Sequence, residues 1–203
     1  MVPVFPLPSL YLFPGTALPL NIFEPRYRQL IEDLLDGTGR LVLATVLPGY
    51  ENDLAGKPPV HPIAGLGEIF RHERMADGRF VILVVGLQRV RVKEAPSDRL
   101  YRKVEIEGLA EVHPPSDVEK QLRPQLLQAV RAQSKMKLRL PRGVPIAQLA
   151  DLLLCQFKGR IDENLMINLF SELNVTERAR RVLAENARLS VSDLSEPGPD
   201  ETK

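Results

Sequence analysis

The sequence predicts an α+β fold in which a β-rich barrel or sandwich is followed by a small antiparallel helical bundle. Ten of the 13 glycines lie at or before Gly108, and nine of the 11 Phe and Tyr residues lie at or before Tyr101. Such enrichment is typical of a turn-rich sheet, whereas the remaining chain is rich in the helix formers Leu, Ala, Gln, Arg and Glu. Residues 113–115 read His-Pro-Pro and interrupt either kind of element. We therefore expect a barrel with one helix at 1–114, a helical bundle at 115–189 and a disordered tail at 190–203.

Short apolar or alternating runs separated by glycine and proline predict six or seven strands in the first half. The Asp77-Gly78 pair between two of these runs is typical of a hairpin turn, and Gly108 predicts a kink in the last strand. This number of short strands is typical of a barrel or sandwich. The predicted strands are 2–5, 17–22, 41–47, 66–75, 80–85, 87–92 and 104–112.

One helix interrupts these strands. Pro25 suits a first helical position, and Gly37 is well placed to end the helix. An apolar stripe at helical spacing predicts that the helix lies across the sheet. Its members are Tyr27, Leu30, Ile31, Leu34 and Leu35.

Four helices are predicted after the double proline. The run from Ser116 to Glu119 has the capping-box pattern that starts a helix. Pro145, Asp162 and Thr176 are suited to open or cap the next three. Because the intervening loops are short, we expect an antiparallel bundle.

Composition excludes several classes of protein. Hydrophobic residues make up 44% of the 203-residue chain and the formal net charge is +1, so the overall charge does not favour nucleic acid or an anionic membrane as partner. No apolar run approaches the length of about 18 residues that a bilayer span needs. The single cysteine cannot form an intramolecular disulfide, which favours a cytoplasmic protein.

No established catalytic or cofactor motif is present in the sequence. Gly56-Lys57 is followed by Pro58 rather than Ser or Thr, which excludes a P-loop. Gly65-Leu66-Gly67 lacks the third glycine of a dinucleotide fingerprint and is interpreted as a bulged or closely packed strand. The three histidines lie far apart. We therefore expect no catalytic residue, no metal and no cofactor.

Several motifs of the first half resemble one known family. They are FPL at 5–7, LFPG at 12–15, LPLNIFEPRY at 18–27, GEI at 67–69, DGRF at 77–80 and VGLQRVRV at 85–92. Together they resemble the N-terminal substrate-binding domain of Lon proteases, especially its stand-alone bacterial relatives. The resemblance is strong to about residue 92 and covers most of residues 2–189.

This resemblance implies a PUA-like pseudo-barrel followed by helices, acting as a recognition module for unfolded or tagged polypeptides. The ATPase and Ser-Lys peptidase parts of Lon have no counterpart in these 203 residues. The expected function is therefore non-catalytic polypeptide binding, with a separate protease or chaperone as a further partner.

The candidate binding site is a groove between barrel and bundle. Its expected members are Phe13, Phe23 and Tyr27 for apolar contact and Glu24, Arg26, Arg28, Arg71 and Arg89 for orientation. Each has a structural alternative, because the apolar members can be core residues and the charged ones can tie a helix to a strand. The loop at 48–62 either edges the groove or covers one end of the barrel.

Two other functions stay open. Residues 117–142 hold seven Lys and Arg against two acids, densest at Lys135, Lys137, Arg139 and Arg142, which makes RNA an alternative partner. No aromatic residue interleaves with them for base stacking. An enzyme whose site leaves no sequence motif is the third class.

Overall fold

The computed structural model describes residues 1–53, 56–133, 140–141 and 143–195. The chain divides into two compact units, Met1–Ala110 and a second unit that begins at Glu111. The sequence had placed this boundary between residues 114 and 115, at the double proline.

Six strands of the first unit form one mixed sheet. Their bounds are β1 Val2–Leu7, β2 Ala17–Ile22, β3 Arg40–Thr45, β4 Ile63–Arg74, β5 Phe80–Ala95 and β6 Arg102–Gly108, with helix α1 Pro25–Leu35 between β2 and β3. The strand order is β2-β5-β4-β3-β1-β6, and β6 also pairs with β5, so the sheet closes into a pseudo-barrel. β1 and β3 are parallel, and all the other pairs are antiparallel. The predicted fold class is confirmed.

β5 is one continuous strand, although the sequence predicted two strands separated at Gly86. Its first part pairs with β2 and its last part with β6, so it belongs to both ends of the sheet. Gly86 does not end the strand. It admits a crossing segment, because a Cβ at this position would overlap the carbonyl oxygen of Phe13. Gly65 is crossed in the same way by Leu12, as the close-packing interpretation of Gly65-Leu66-Gly67 predicted.

Burial on both faces explains why the sequence of β3 is continuously apolar. Alternate residues of a strand point to opposite faces, and here they join two different core clusters. Leu41 and Leu43 pack with the buried face of α1, which consists of Tyr27, Leu30, Ile31 and Leu34. Val42 and Ala44 pack with Val4, Leu66, Val90 and Val104. Leu35, the last predicted member of the helical stripe, is 37% exposed.

The second unit contains the four predicted helices. They are α2 Ser116–Gln133, α3 Ile146–Cys155, α4 Glu163–Ser171 and α5 Val175–Ser195. α2, α3 and α5 pack against one another pairwise. Asp162 caps α4 as predicted, with its carboxylate accepting hydrogen bonds from the backbone of Asn164 and Leu165.

Two sequence-based assignments in this unit need correction. The cap of α5 is Asn174 rather than Thr176, because the Asn174 side chain accepts from the N–H groups of Thr176 and Glu177 at 3.0 and 3.2 Å. α5 also continues to Ser195, so residues 190–195 are helical rather than part of the predicted tail. Residues 196–203 lie outside the described residues.

Candidate functional site

Helix α1 holds one wall of a cleft in the first unit. Gln29 and Asp33 are four residues apart and therefore share one face of the helix. The Gln29 side-chain oxygen accepts from the backbone N–H of Leu100 at 3.0 Å, and Asp33 accepts from the Tyr101 hydroxyl at 2.7 Å. Arg99 also forms an ion pair with Asp33 at 3.4 Å. The segment between β5 and β6 is thus anchored to the helix.

The cleft has two adjoining lobes with volumes of about 700 and 360 Å³. Lys57, Leu100, Tyr101 and Arg102 line both lobes, so the two concavities lie side by side. A second wall of the larger lobe comes from the end of the 48–62 loop, through Lys57, Pro59, Val60 and Pro62. Val4, Pro6, Gly56, Arg26 and Tyr27 complete the smaller lobe.

Arg102 holds these two walls together. Its guanidinium donates to both carboxylate oxygens of Glu94 at 3.0 and 2.8 Å, and its third nitrogen donates to the Pro58 carbonyl at 2.8 Å. Such a bidentate pair has defined geometry as well as strength. Residues 58–62 are therefore positioned by the sheet.

Glu24, Arg26 and Tyr27 form one contact group at the start of α1. The Glu24 carboxylate accepts from Arg26 at 2.9 Å, and the Arg26 guanidinium lies 4.5 Å from the centroid of the Tyr27 ring. The Tyr27 ring lies 4.1 Å from that of Phe5 and is 6% exposed. Burial raises the pKa of the Tyr27 hydroxyl, which Arg26 partly offsets.

The other predicted site residues lie elsewhere in the first unit. Phe13 and Arg89 are 3% and 1% exposed, and the Arg89 guanidinium lies 5.7 Å from the Phe13 ring, so both are interior. Phe23 is 62% exposed between β2 and α1. Arg28 packs against the β4–β5 turn at Gly78, and Arg71 is exposed on β4.

Sequence reasoning missed Leu100, Tyr101 and Arg102, which line both lobes. They carry no helical or strand periodicity. Leu100 and Tyr101 are held by α1, which lies some 70 residues away along the chain, and Arg102 is held by Glu94 and Pro58. The basic cluster at Lys135, Lys137, Arg139 and Arg142 lies outside the described residues.

The second unit contains a buried ion cluster that the sequence did not indicate. Arg178 is fully buried, with its guanidinium 2.6 Å from the Glu111 carboxylate and 3.1 Å from that of Asp151. It also donates to the Glu172 carbonyl at 2.5 Å. These partners come from three separate segments, so Arg178 has a structural role.

In the part of the chain that the structure describes, no three His, Cys, Asp or Glu residues converge on a common point where they could hold a metal ion. Across the same residues, no helix combines the length and apolar character that crossing a membrane requires.

Comparison with protein families identifies the domain. A family model described as the ATP-dependent protease La (LON) substrate-binding domain matches residues 1–188. The chain belongs to this family. The LPLNIFEPRY motif of this Lon substrate-binding domain spans β2 and the start of α1, which supplies Arg26 and Tyr27 to the smaller lobe.

Solved structures show the same fold. The N-terminal domain of Mycobacterium avium complex Lon protease superposes with a TM-score of 0.68 at 19% identity, covering 92% of this chain and 97% of that one. The Lon N-terminal domain protein from Xanthomonas campestris gives 0.61 at 20% identity, covering 90% and 96%. The pseudo-barrel and the helices after it are therefore those of a Lon N-terminal domain.

Curated Lon proteases match only in part. The Lon protease of Cytophaga hutchinsonii is 25% identical over 154 residues, which is 72% of this chain and 18% of the relative. That of Syntrophomonas wolfei is 22% identical over 189 residues, which is 93% of this chain and 23% of the relative. This Lon substrate-binding domain thus spans about a fifth of the length of these relatives.

Proposed function

We propose that this chain is a non-catalytic polypeptide-binding module that captures an extended, partly apolar segment in the cleft of its first unit. The observation that carries this proposal is Leu100, which is 67% exposed and lines both lobes. An exposed leucine that lines a concave surface is suited to anchor an apolar side chain. The family description, a substrate-binding domain, supports the same class of ligand.

Polar groups around Leu100 orient the bound polypeptide. Arg26 and Lys57 line the smaller lobe, where their cationic groups suit the carbonyl oxygens or acidic side chains of a bound segment. In this proposal Glu24 positions Arg26, and the exposed Phe23 adds apolar contact at the start of α1. Phe13, Tyr27 and Arg89 hold the scaffold, because they are buried.

The binding module acts without hydrolysis of its own. We assign it to the cytoplasm, where a separate protease or chaperone receives the captured polypeptide. Casein-degradation and phosphate-release assays on the purified chain should detect neither peptidase nor ATPase activity. Activity that is lost on mutation of a residue within this chain would contradict this assignment.

Binding is best tested with reduced, carboxymethylated lactalbumin as an unfolded probe, measured by fluorescence anisotropy. We expect Leu100→Ser to weaken binding about tenfold, which corresponds to about 1.4 kcal/mol. Val191→Ser is the matched control, because Val191 is 65% exposed but lies on α5. Equal losses in both variants, or no binding by the unmodified chain, would contradict the proposal.

Charge and core variants separate binding from folding. Arg26→Ala should weaken lactalbumin binding and change the free energy of unfolding by no more than about 1 kcal/mol, because its ion-pair partner Glu24 is 40% exposed. Tyr27→Ala should instead cost about 3–5 kcal/mol of stability, because its ring is a core residue. If Arg26→Ala unfolds the protein as severely as Tyr27→Ala, the segment is a structural clasp.

The salt dependence of binding distinguishes a polypeptide partner from RNA, the alternative partner. Capture of apolar polypeptide should depend weakly on ionic strength, whereas RNA binding would weaken steeply with added salt, since counterions are released from phosphates. Affinity capture that retains RNA with a steep salt dependence, and no unfolded polypeptide, would favour the RNA-binding alternative.

A further inference from the structure

Strand β5 carries apolar side chains on both of its faces. Phe80, Ile82 and Val84 are buried in the core, and Val81, Leu83 and Val85 alternate with them on the outer face. Val81 is 42% exposed. A strand with one face in water usually carries polar residues on that face, so this outer row is suited to being covered by a partner.

The neighbouring strands extend this apolar row into a patch. On β2, Pro19 pairs with Leu83 and Asn21 with Val81, while on β4 Arg71 pairs with Leu83 and Glu73 with Val81. Paired residues of adjacent strands point to the same face. Phe70 lies at the irregularity between Ile69 and Arg71 and is 76% exposed. We call the surface formed by Pro19, Phe70, Val81, Leu83 and Val85 the outer patch.

The free edge of β2, beside the outer patch, does not favour the addition of a strand from a partner. β2 ends the sheet order on this side. Gly86 donates to Thr16 and accepts from Gly15, at 2.9 and 2.8 Å. In an antiparallel pair, the backbone groups of successive residues point alternately toward the neighbouring strand and away from it. Thr16 bonds to Gly86, so the backbone groups of Pro19, three residues later, point to the free edge. Because proline has no N–H to donate, a partner is expected to cover the face rather than extend the sheet.

The charges beside the outer patch complement each other. Arg71 and Glu73 are two residues apart on β4, and neither has an ion-pair partner among the described residues. Two copies that pack face to face can be related by a two-fold axis that is perpendicular to the strands and passes between Arg71 and Glu73. This axis places Arg71 of each copy opposite Glu73 of the other. The same axis brings Leu83 opposite Val81 of the second copy. An isologous interface needs such self-complementarity.

We infer that the outer patch is a self-association surface, through which two copies of this chain pack face to face. The inference is independent of the cleft proposed for polypeptide. Three strands at about 4.8 Å spacing make a patch only about 15 Å wide and 20 Å long. This falls below the typical area of about 800 Å² per partner, so a weak dimer is expected.

Sedimentation equilibrium of the full chain, from about 10 μM to about 1 mM, tests this inference. Arg71→Glu and Glu73→Arg should each shift the chain to monomer, because each places like charges opposite one another. An equimolar mixture of the two variants should restore a dimer, and so should the double variant, because the charges again match. Lys120→Glu is the control, because it makes the same change of charge as Arg71→Glu at an exposed position on α2. It should leave association unchanged.

Three results would overturn the self-association surface. One is a chain that stays monomeric throughout the concentration range. Another is loss of association in the single variants with no recovery in their mixture. The third is a monomeric chain whose lactalbumin binding falls with Arg71→Glu, which would assign the outer patch to polypeptide. Circular dichroism of each variant checks that it is folded.

Discussion

At the residue scale, Tyr101 connects the cleft to helix α1. Its hydroxyl donates to Asp33, and it is 5% exposed. Burial raises the pKa of Tyr101 from 10.0 to about 12, and the hydrogen bond and negative charge of Asp33 add to the shift. The neutral phenol is therefore the form that the folded protein stabilises.

This shift predicts a pH dependence of stability. A group with a raised folded pKa stabilises the protein fully below its unfolded value, and that contribution is lost as pH rises through the folded value. The free energy of unfolding should therefore fall between pH 10 and about 12, by an amount that Tyr101→Phe removes. Urea unfolding of both proteins across this range gives the difference. A difference that grows with pH would contradict the assignment.

At the element scale, glycines in the sheet allow one segment to cross it closely. Leu12 and Phe13 pass over Gly65 and Gly86, where a Cβ would overlap their carbonyl oxygens. Gly15 has φ +74° and sits beside Gly86, to which it donates a hydrogen bond. Gly15 and Gly86, which belong to the family-like motifs, therefore allow the close packing of the pseudo-barrel.

Adding one methyl group should test this packing. Gly86→Ala should lower the free energy of unfolding by about 1–3 kcal/mol, because overpacking forces backbone shifts. Gly37→Ala is the control, since a Cβ there would lie at ordinary contact distances of 3.6 and 3.7 Å. It should change stability by less than about 1 kcal/mol. Equal effects of the two substitutions in urea unfolding would refute the close approach.

At the scale of the whole molecule, the two units offer separate spectroscopic signals. All four tyrosines lie at or before Tyr101, and the chain has no tryptophan. Tyrosine fluorescence therefore reports on the first unit, whereas most of the helical circular dichroism comes from α2 to α5. Each unit can thus be followed in the intact chain.

Arg178→Met should destabilise the second unit selectively. Removal of the guanidinium leaves Asp151, which is 1% exposed, as an uncompensated buried charge. Loss of one partner from a buried pair typically costs about 3–5 kcal/mol. The urea midpoint of the helical signal should fall while that of tyrosine fluorescence stays unchanged. A parallel fall of both midpoints would contradict independent unfolding.

Arg181→Met is the matched control on the same helix. Its side chain is 37% exposed, and its nitrogen lies 3.9 Å from Glu172. A solvent-exposed pair of this kind contributes at most about 1 kcal/mol. The helical midpoint should therefore move much less than it does in Arg178→Met.

Local chemistry explains the parts of the fold that could be predicted from sequence. The apolar stripe of α1, the Asp162 cap and the strand at 17–22 depend on residues close in sequence, and all three were predicted. The α+β class followed from the distribution of glycine and aromatic residues. The family could be predicted as well, because the motifs that carry the resemblance are contiguous runs of sequence.

Long-range contacts explain what the sequence could not show. Position 86 of β5 is a glycine because a segment about 70 residues earlier crosses the strand there, and no local signal separates such a glycine from a strand end. Phe13 and Arg89 were candidate ligand contacts because they are aromatic and charged, yet the fold buries both. Leu100 and Tyr101 enter the cleft because α1 holds them.

The sequence by itself determined the class of fold and its family, since both depend on local patterns. Only the tertiary structure decided which side chains meet in the cleft and which are buried, because these depend on contacts between distant segments.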